Sequence, residues 1–218
     1  MSPSAVLLDL DGVLVESQGA WYATMNEVAR ALGAPPISRP AFLDGWGQPI
    51  EADAQVFYSG ITVSELEALY TRTFIKFLEL VRAEPDSARL LEICRDTRRP
   101  TAIVTNTPLA LTRLIADHVH LRPDAICAPS QQDRPKPEPD LILRACEEIN
   151  GDPRTACFVG DTPTDRHAAW SAKVFFVGYG IQGDRGVSSL GEVIEWLSGA
   201  SESQPWHSGD RRSKQDCF

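Results

Sequence analysis

The chain has 218 residues, of which 43% are apolar and 23% charged, a composition typical of folded globular proteins. Its formal net charge is −9 and its pI is about 4.9, so binding to nucleic acid or to anionic lipid is electrostatically disfavoured. We therefore expect neither nucleic acid nor a membrane as a partner, although a local cationic pocket for one phosphate is compatible with this charge. The length suits one large domain, or one domain with a smaller insertion.

The sequence shows no signal for export or membrane insertion. No run approaches the ~18 apolar residues of a membrane span, and residues 1–4 lack the basic region of a signal peptide. The cysteines are odd in number and scattered, without metal-like pairs: Cys94, Cys127, Cys146, Cys157 and Cys217. We expect free thiols and a reducing cytoplasmic location. No feature of the sequence indicates an oligomeric state.

Short apolar runs that do not alternate with polar residues indicate strands buried on both faces of a sheet. In chain order they are residues 5–8, 101–104, a weaker run at 124–128, 156–159 and 174–177. The stretches between them show helical spacing, as in Ile142, Cys146 and Ile149. Strands that alternate with helices predict an α/β fold with a Rossmann-like parallel sheet and right-handed crossovers.

The stretch between the first two strands is far longer than one crossover needs, and its pattern is helical. One apolar stripe begins at Trp21, and another follows a predicted capping box at Ser64 and Glu67. We interpret this stretch as a small α-helical domain inserted into the α/β core. The predicted organisation is a core of residues 1–16 and 83–198, a helical domain of residues 17–82, and a polar, disordered tail of residues 199–218.

Polar residues follow three of the predicted strands at their carboxyl ends. Asp9 and Asp11 follow the first strand, Thr105 and Asn106 the second, and Asp161 a later one. In an open parallel sheet, ligands bind outside the carboxyl ends of the strands. A buried strand has no structural use for a carboxylate at its end, so we expect these residues to form one site.

Up to four carboxylates would meet in that site: Asp9, Asp11, Asp161 and Asp165. Like charges this close either raise one another's pKa or need a cation. Mg²⁺ takes oxygen ligands and commonly binds carboxylates together with a substrate phosphate, whereas these motifs offer no His or Cys to other metals. Lys136 lies in a proline-rich segment that we expect to be extended, and its ammonium group can stabilise an aspartate nucleophile and phosphoryl oxygens.

Four motifs carry a family resemblance: Asp9-x-Asp11-Gly12-Val13-Leu14, Ile103-Val104-Thr105-Asn106, Lys136-Pro137-x-Pro139-Asp140 and Val159-Gly160-Asp161-x-x-x-Asp165. In this order and spacing they resemble the motifs of the haloacid dehalogenase superfamily, roughly over residues 4–198. The helical stretch between the first two motifs, together with Gly178-Tyr179-Gly180, resembles the phosphoglycolate phosphatase-like branch. In that branch an α-helical cap domain is inserted at this position.

The resemblance implies a Mg²⁺-dependent phosphatase that acts on a small phosphorylated metabolite. Asp9 would attack phosphorus and become an aspartyl phosphate, and Asp11 would act first as general acid and then as general base. Thr105 and the Asn106 amide would hold phosphoryl oxygens, while Lys136 neutralises the charge that develops on them. Dehalogenating members lack an acid at the position of Asp11, so this residue favours phosphoryl transfer.

The resemblance also implies metal ligands, namely the Asp9 carboxylate, the Asp11 carbonyl and Asp161. Asp165 has two possible roles, which are not exclusive. It can support the metal, or it can complete a capping box with Thr162 at the start of a helix.

Two tryptophans are interpreted differently. Trp46 lies between glycines in a loop of the predicted helical domain, where it can close over a substrate or simply pack on that domain. Trp21 belongs to the apolar helical stripe, and we assign it to the core rather than to the site.

Two other functions remain open. A sugar phosphomutase similar to β-phosphoglucomutase would carry a histidine twelve residues after the nucleophile, where this chain has Trp21, and a basic cap loop, whereas residues 45–49 contain no Arg or Lys. A non-catalytic protein that binds a phosphorylated ligand would be expected to have lost Asp9, Asp11, Lys136 or Asp161. All four are present. The substrate stays open among phosphoglycolate, sugar phosphates, nucleotides and specialised metabolites.

Overall fold

The computed structural model describes residues 2–130 and 133–199. Within these residues the strands are β1 (Ala5–Leu8), β2 (Val15–Glu16), β3 (Arg82–Ala83), β4 (Thr101–Val104), β5 (Ala125–Cys127), β6 (Ala156–Gly160), β7 (Phe175–Tyr179) and β8 (Arg185–Val187). Six of them form one sheet in the order β5-β4-β1-β6-β7-β8, and every neighbouring pair is parallel. The predicted α/β fold with a Rossmann-like parallel sheet is confirmed.

Five helices of the described chain, all after β3, cover both faces of the six-stranded sheet. They are α5 (Ser87–Asp96), α6 (Leu109–His118), α7 (Asp140–Glu148), α8 (Pro163–Ser171) and α9 (Leu190–Leu197). Successive side chains of β1 point to opposite faces: Val6 and Leu8 join one apolar cluster, and Ala5 and Leu7 join the other. Because both faces of β1 are buried, its sequence is continuously apolar.

A helical stretch occupies the chain between β2 and β3, as the sequence pattern predicts. Its elements are α1 (Gln18–Leu32), α2 (Arg39–Asp44), α3 (Ile50–Phe57), α4 (Val63–Phe74) and a 3-10 helix (Ile75–Leu80). Because β2 and β3 pair antiparallel, the chain enters and leaves this stretch side by side. We call this stretch the cap; its proposed extent as a domain, residues 17–82, stays a prediction.

Two local predictions were wrong. The capping box of α4 is formed by Thr62 and Glu65 rather than by Ser64 and Glu67, because the helix begins two residues earlier than expected. The proline-rich segment around Lys136 is a turn rather than an extended stretch: the Glu138 amide donates to the Pro135 carbonyl at 3.0 Å, and the Lys136–Pro137 peptide bond is cis.

Within the described residues, Cys94, Cys127, Cys146 and Cys157 are buried and unpaired. No helix in this part of the chain has the length and apolarity needed to cross a membrane. The predicted tail, residues 199–218, lies outside the described residues apart from Gly199.

Candidate active site

Three neighbouring strands bring the predicted site residues together. β1 lies between β4 and β6, so Asp9, Thr105 and Asp161 follow adjacent strands at one edge of the sheet. From β1 the chain proceeds outward to β4 and β5 on one side and later to β6, β7 and β8 on the other. A crevice forms where the strand order reverses in this way.

Lys136 is at the floor of this crevice, and only 2% of its surface is exposed. Its Nζ lies 2.9 Å from Asp9 Oδ1 and 2.6 Å from Asp165 Oδ1, and it donates to the Val104 carbonyl at 2.9 Å. These contacts account for all three donors of an ammonium group. Burial works against the charge on Lys136, but Asp165 and Asp9 outweigh it and raise the pKa of the ammonium group above its ordinary value.

The side chain of Asn106 fixes the backbone that carries Lys136. Its Oδ1 accepts from the Lys136 amide and its Nδ2 donates to the Lys136 carbonyl, both at 2.8 Å. The same Nδ2 reaches the Gly47 carbonyl of the cap at 3.1 Å. This amide side chain therefore joins the turn that carries Lys136 to the loop of the cap.

Asp11 is held by residues that sequence reasoning did not assign to the site. Its Oδ1 accepts hydrogen bonds from the Ser17 hydroxyl and, at 3.0 Å, from Trp21 Nε1. Its Oδ2 accepts one from the Thr107 hydroxyl at 2.6 Å. The assignment of Trp21 to the core alone was therefore incomplete: the indole is buried in the cap, yet its N–H contacts Asp11 and its ring lines the crevice.

A group of carboxylates beside Lys136 fits a divalent cation. Oxygen atoms of Asp9, Asp161 and Asp165 all lie within 4.8 Å of one another. The Oδ1 atom of Asp161 is buried and has no hydrogen-bond partner among the described residues. Three carboxylates face one ammonium group, so negative charge is in excess, and the donors are all oxygen, as Mg²⁺ prefers. The side chain of Asp11 is not part of this group, because it is turned to Ser17 and its neighbours.

The same excess of charge acts on the acidity of the carboxyl groups. Burial, reinforced by Asp165, raises the pKa of Asp9 well above its usual range, although Lys136 opposes this. Burial and Asp165 likewise raise the pKa of Asp161 to about 7. A cation among these groups would relieve this cost.

Asp165 forms the predicted helix cap. Its Oδ2 accepts from the Thr162 amide at 3.0 Å and from the Thr162 hydroxyl at 2.6 Å, and its own amide donates to Thr162 Oγ1 at 3.1 Å. This confirms the capping box at the start of α8. The other oxygen, Oδ1, contacts Lys136, so one carboxylate links the helix terminus to the floor of the crevice.

The cap closes over the crevice through the loop that carries Trp46. Trp46 Nε1 donates to Asp161 Oδ2 at 3.3 Å, and its ring packs on Phe42 at a centroid distance of 5.5 Å. Trp46 therefore packs on the cap and also contacts Asp161, while its closing over a substrate stays a prediction. The crevice beneath the loop has an empty volume of about 660 Å³, counting the part open to solvent.

Two glycines permit the close approach of backbone to this crevice. A Cβ atom on Gly12 would lie 2.2 Å from Asp161 Oδ2, and one on Gly47 would lie 2.8 Å from a methyl group of Thr162. Both glycines have positive φ, at +84° and +81°. Larger residues would displace the Asp161 carboxylate or lift the cap loop.

The geometry and motifs of this site agree with a comparison to known families. A family model described as haloacid dehalogenase-like hydrolase matches residues 3–172. The chain belongs to this family. The match spans the first three motifs, the cap and the Asp161 motif, so the resemblance read from the sequence is confirmed.

Individual relatives of the chain share less than a third of their residues with it. N-acetylmuramic acid 6-phosphate phosphatase of Pseudomonas aeruginosa is 27% identical, over 76% of this chain and 76% of its own length. Phosphoglycolate phosphatase of Nitrosospira multiformis is 28% identical, over 85% of this chain and 88% of its own length. The structure of β-phosphoglucomutase from Clostridium difficile has a TM-score of 0.77 at 17% identity, covering 90% of this chain and 96% of that one. This last similarity shows the fold alone.

Proposed function

We propose that this protein hydrolyses a small-molecule phosphate monoester in a Mg²⁺-dependent reaction in which Asp9 is the nucleophile. The observation that carries the proposal is the contact of Asp9 with Lys136 on the floor of a crevice that the cap closes. Membership of a hydrolase family and the phosphatase relatives support the same reaction. Its substrate is a small phosphorylated metabolite, because a phosphoprotein or nucleic acid would not fit beneath the cap.

One oxygen of Asp9 is held and the other is available for attack. The Leu10 amide donates to Oδ1 at 2.8 Å and Lys136 contacts the same atom, whereas Oδ2 has no hydrogen-bond partner in the part of the chain that the structure describes. Attack by Oδ2 would form the bond to phosphorus while the bond from phosphorus to the alcohol oxygen breaks. Water then cleaves the aspartyl phosphate and releases inorganic phosphate.

Asp11 is the proposed acid and base of the two steps. In its protonated form it gives a proton to the departing alcohol oxygen, and the resulting carboxylate takes a proton from the attacking water. The hydrogen bonds from Ser17, Trp21 and Thr107 fix the orientation of this carboxylate. A fixed orientation lowers the barrier for both proton transfers, because the carboxyl group is already placed for them.

The phosphoryl oxygens would be held by Thr105, the backbone amide of Asn106 and Lys136. Thr105 Oγ1 accepts from the Thr107 amide at 3.1 Å, which leaves the hydroxyl hydrogen for a phosphoryl oxygen. Lys136 brings positive charge next to the nucleophile, where charge on the transferring group develops.

The metal would be held by the carboxylates of Asp9 and Asp161 and by the carbonyl of Asp11, with Asp165 beside them. When bound, Mg²⁺ supplies charge neutralisation for the transferring phosphoryl group and for the clustered carboxylates. The unpartnered Asp161 Oδ1 is the observation in this structure that favours a cation here.

A phosphomutase and a non-catalytic binding protein remain the alternatives. The position at which the mutases carry their histidine is Trp21, which is buried against Tyr70 and Phe74 and donates to Asp11. This arrangement gives no second acid or base of the histidine type. A cytoplasmic location also belongs to the proposal and is supported by the buried free cysteines.

The test is phosphate release from a panel of small phosphate esters, measured with Mg²⁺ and with EDTA for the wild type and Asp9→Asn. We expect Mg²⁺-dependent release that Asp9→Asn abolishes, since an amide is a very poor nucleophile. Asn is nearly isosteric with Asp, so a protein that only binds its ligand would retain affinity in the variant. Release that survives in folded Asp9→Asn would contradict the proposal.

A further inference from the structure

The proposed position of the phosphoryl group determines where the rest of the ester must lie. Asp9, Thr105 and Lys136 occupy the sheet end of the crevice, so the alcohol part of a substrate extends toward the cap. The wall that it meets there is largely apolar and aromatic: Trp21, Met25, Phe42, Trp46, Ile50 and Phe57. This wall offers contact area to the carbon atoms of the alcohol but few hydrogen bonds.

The charge around this wall is negative. Among the described residues that line the crevice, Lys136 is the one cation, and its Nζ already contacts Asp9, Asp165 and the Val104 carbonyl. The nearby cations of α4 and the 3-10 helix, Arg72 and Lys76, are exposed and do not line the crevice. An anionic group on the alcohol would therefore find no free positive charge.

Asp53 adds a carboxylate on the cap side. Its Oδ1 accepts from Gln48 Nε2 at 2.6 Å and its Oδ2 accepts from the Tyr70 hydroxyl at 3.0 Å, which fixes the carboxylate at the crevice wall. Burial raises the pKa of Asp53 to about 6, although the hydrogen bonds from Gln48 and Tyr70 oppose this shift. Asp53 is therefore predominantly ionised at neutral and higher pH.

We propose that the substrates of this site are monoesters whose alcohol is apolar or aromatic and carries no second anionic group. This inference rests on the proposed phosphatase function. Esters such as phosphoglycolate, whose alcohol bears a carboxylate, and sugar bisphosphates fall outside the class, because their second anion would enter a crevice whose described lining offers Asp11 and Asp53 but no free cation. Selection here is by repulsion of the wrong substrate as much as by contact with the right one.

A matched pair of esters tests this inference: benzyl phosphate and its para-carboxylate, which differ by one negative charge at the far end of the alcohol. We expect wild type to hydrolyse benzyl phosphate with a kcat/KM about tenfold or more above that of the carboxylate at pH 8. Asp53→Asn should reduce this ratio several-fold. Gln48→Lys should reduce it as well, because it places an ammonium group beside Asp53 while leaving the acid in place. Glu67→Gln is the matched control, since it removes an exposed acid of the cap that does not line the crevice and should leave the ratio unchanged.

Calorimetric binding of the same two esters to Asp9→Asn provides the readout that does not need turnover. Weaker binding of the carboxylate, relieved by Asp53→Asn in the same background, supports the inference. Equal or tighter binding of the carboxylate overturns it. Absence of phosphate release from both esters by folded wild type with Mg²⁺, alongside selective binding to Asp9→Asn, would instead count against the proposed function and leave the inferred selectivity standing.

Discussion

Asp11 receives hydrogen bonds from Ser17 and Trp21 at the start of the cap and from Thr107 after β4. The acid and base proposed for both steps is thus oriented by the core and the cap together. A change in the cap can therefore alter the chemistry as well as substrate binding.

A substitution of Trp21 tests whether its N–H orients Asp11. Trp21→Phe keeps an aromatic ring against Tyr70 and Phe74 but removes the donor to Asp11. A hydrogen bond to a charged group is worth about 1.5–3 kcal/mol, so we expect kcat to fall roughly tenfold or more while KM changes little. Steady-state kinetics on the best ester of the panel measure this split. Trp196→Phe, which alters an indole stacked on Phe175, is the control and should keep full kcat. Unchanged kcat in Trp21→Phe would remove this residue from the proposed mechanism.

Sequence reasoning found the site residues that follow strands and missed those that orient them. Asp9, Thr105 and Asp161 were predicted because a polar residue at the end of a buried strand has no role in packing. Ser17 and Thr107 gave no signal, since hydroxyl residues are common in loops and helix caps. Trp21 fitted an apolar stripe, and a stripe pattern does not show that one edge of an indole carries a polar N–H.

Helix α8 joins local helix capping to the chemistry, because Asp165 both caps the helix and contacts Lys136. Two substitutions separate these roles. Thr162→Val removes the hydroxyl half of the capping box, so the free energy of unfolding should fall by about 1 kcal/mol while Mg²⁺ affinity stays near wild type. Asp165→Asn removes the carboxylate and should lower both stability and Mg²⁺ affinity. Denaturant unfolding and calorimetric Mg²⁺ titration measure the two effects. An Asp165→Asn variant with unaltered Mg²⁺ affinity would show that Asp165 does not support the metal and only caps helix α8 and positions Lys136.

Apolar runs in the sequence predict the buried strands of the sheet but not its edge strand β8. The runs at 5–8 and 101–104 coincide with β1 and β4, because strands buried on both faces are uninterruptedly apolar. The run at 174–177 is displaced from β7: the Val174 amide donates to the Ala169 carbonyl and so completes the end of α8. The edge strand β8 was not predicted, since Arg185-Gly186-Val187 has no apolar run and is specified by its pairing with β7.

At the scale of the whole molecule, the fold buries more negative than positive charge in one place. Asp9, Asp161 and Asp165 face Lys136, and this arrangement costs stability unless a cation is bound. Such an excess is tolerable in a protein whose folded state binds a metal, because binding adds to the free energy of unfolding.

We therefore expect Mg²⁺ to raise the melting temperature. At a Mg²⁺ concentration near 100 times Kd the gain is about 2.7 kcal/mol, which corresponds to roughly 5–10 °C for a chain of this size. Scanning calorimetry with Mg²⁺ and with EDTA measures the shift. Asp161→Asn should lose most of it, whereas Glu195→Gln, which removes an exposed acid of α9, should retain it. An equal shift in Asp161→Asn would place the stabilising ion elsewhere.

The most direct test of the central claim is to trap the phosphorylated enzyme. In Asp11→Asn, p-nitrophenyl phosphate can still phosphorylate Asp9, because its leaving group needs no proton, whereas the water step lacks its base. Acid quench followed by mass analysis of peptides should find one phosphoryl group on the peptide containing Asp9, and none in the double variant with Asp9→Asn. A phosphoryl group on another residue, or none on Asp9 while turnover persists, would contradict the account.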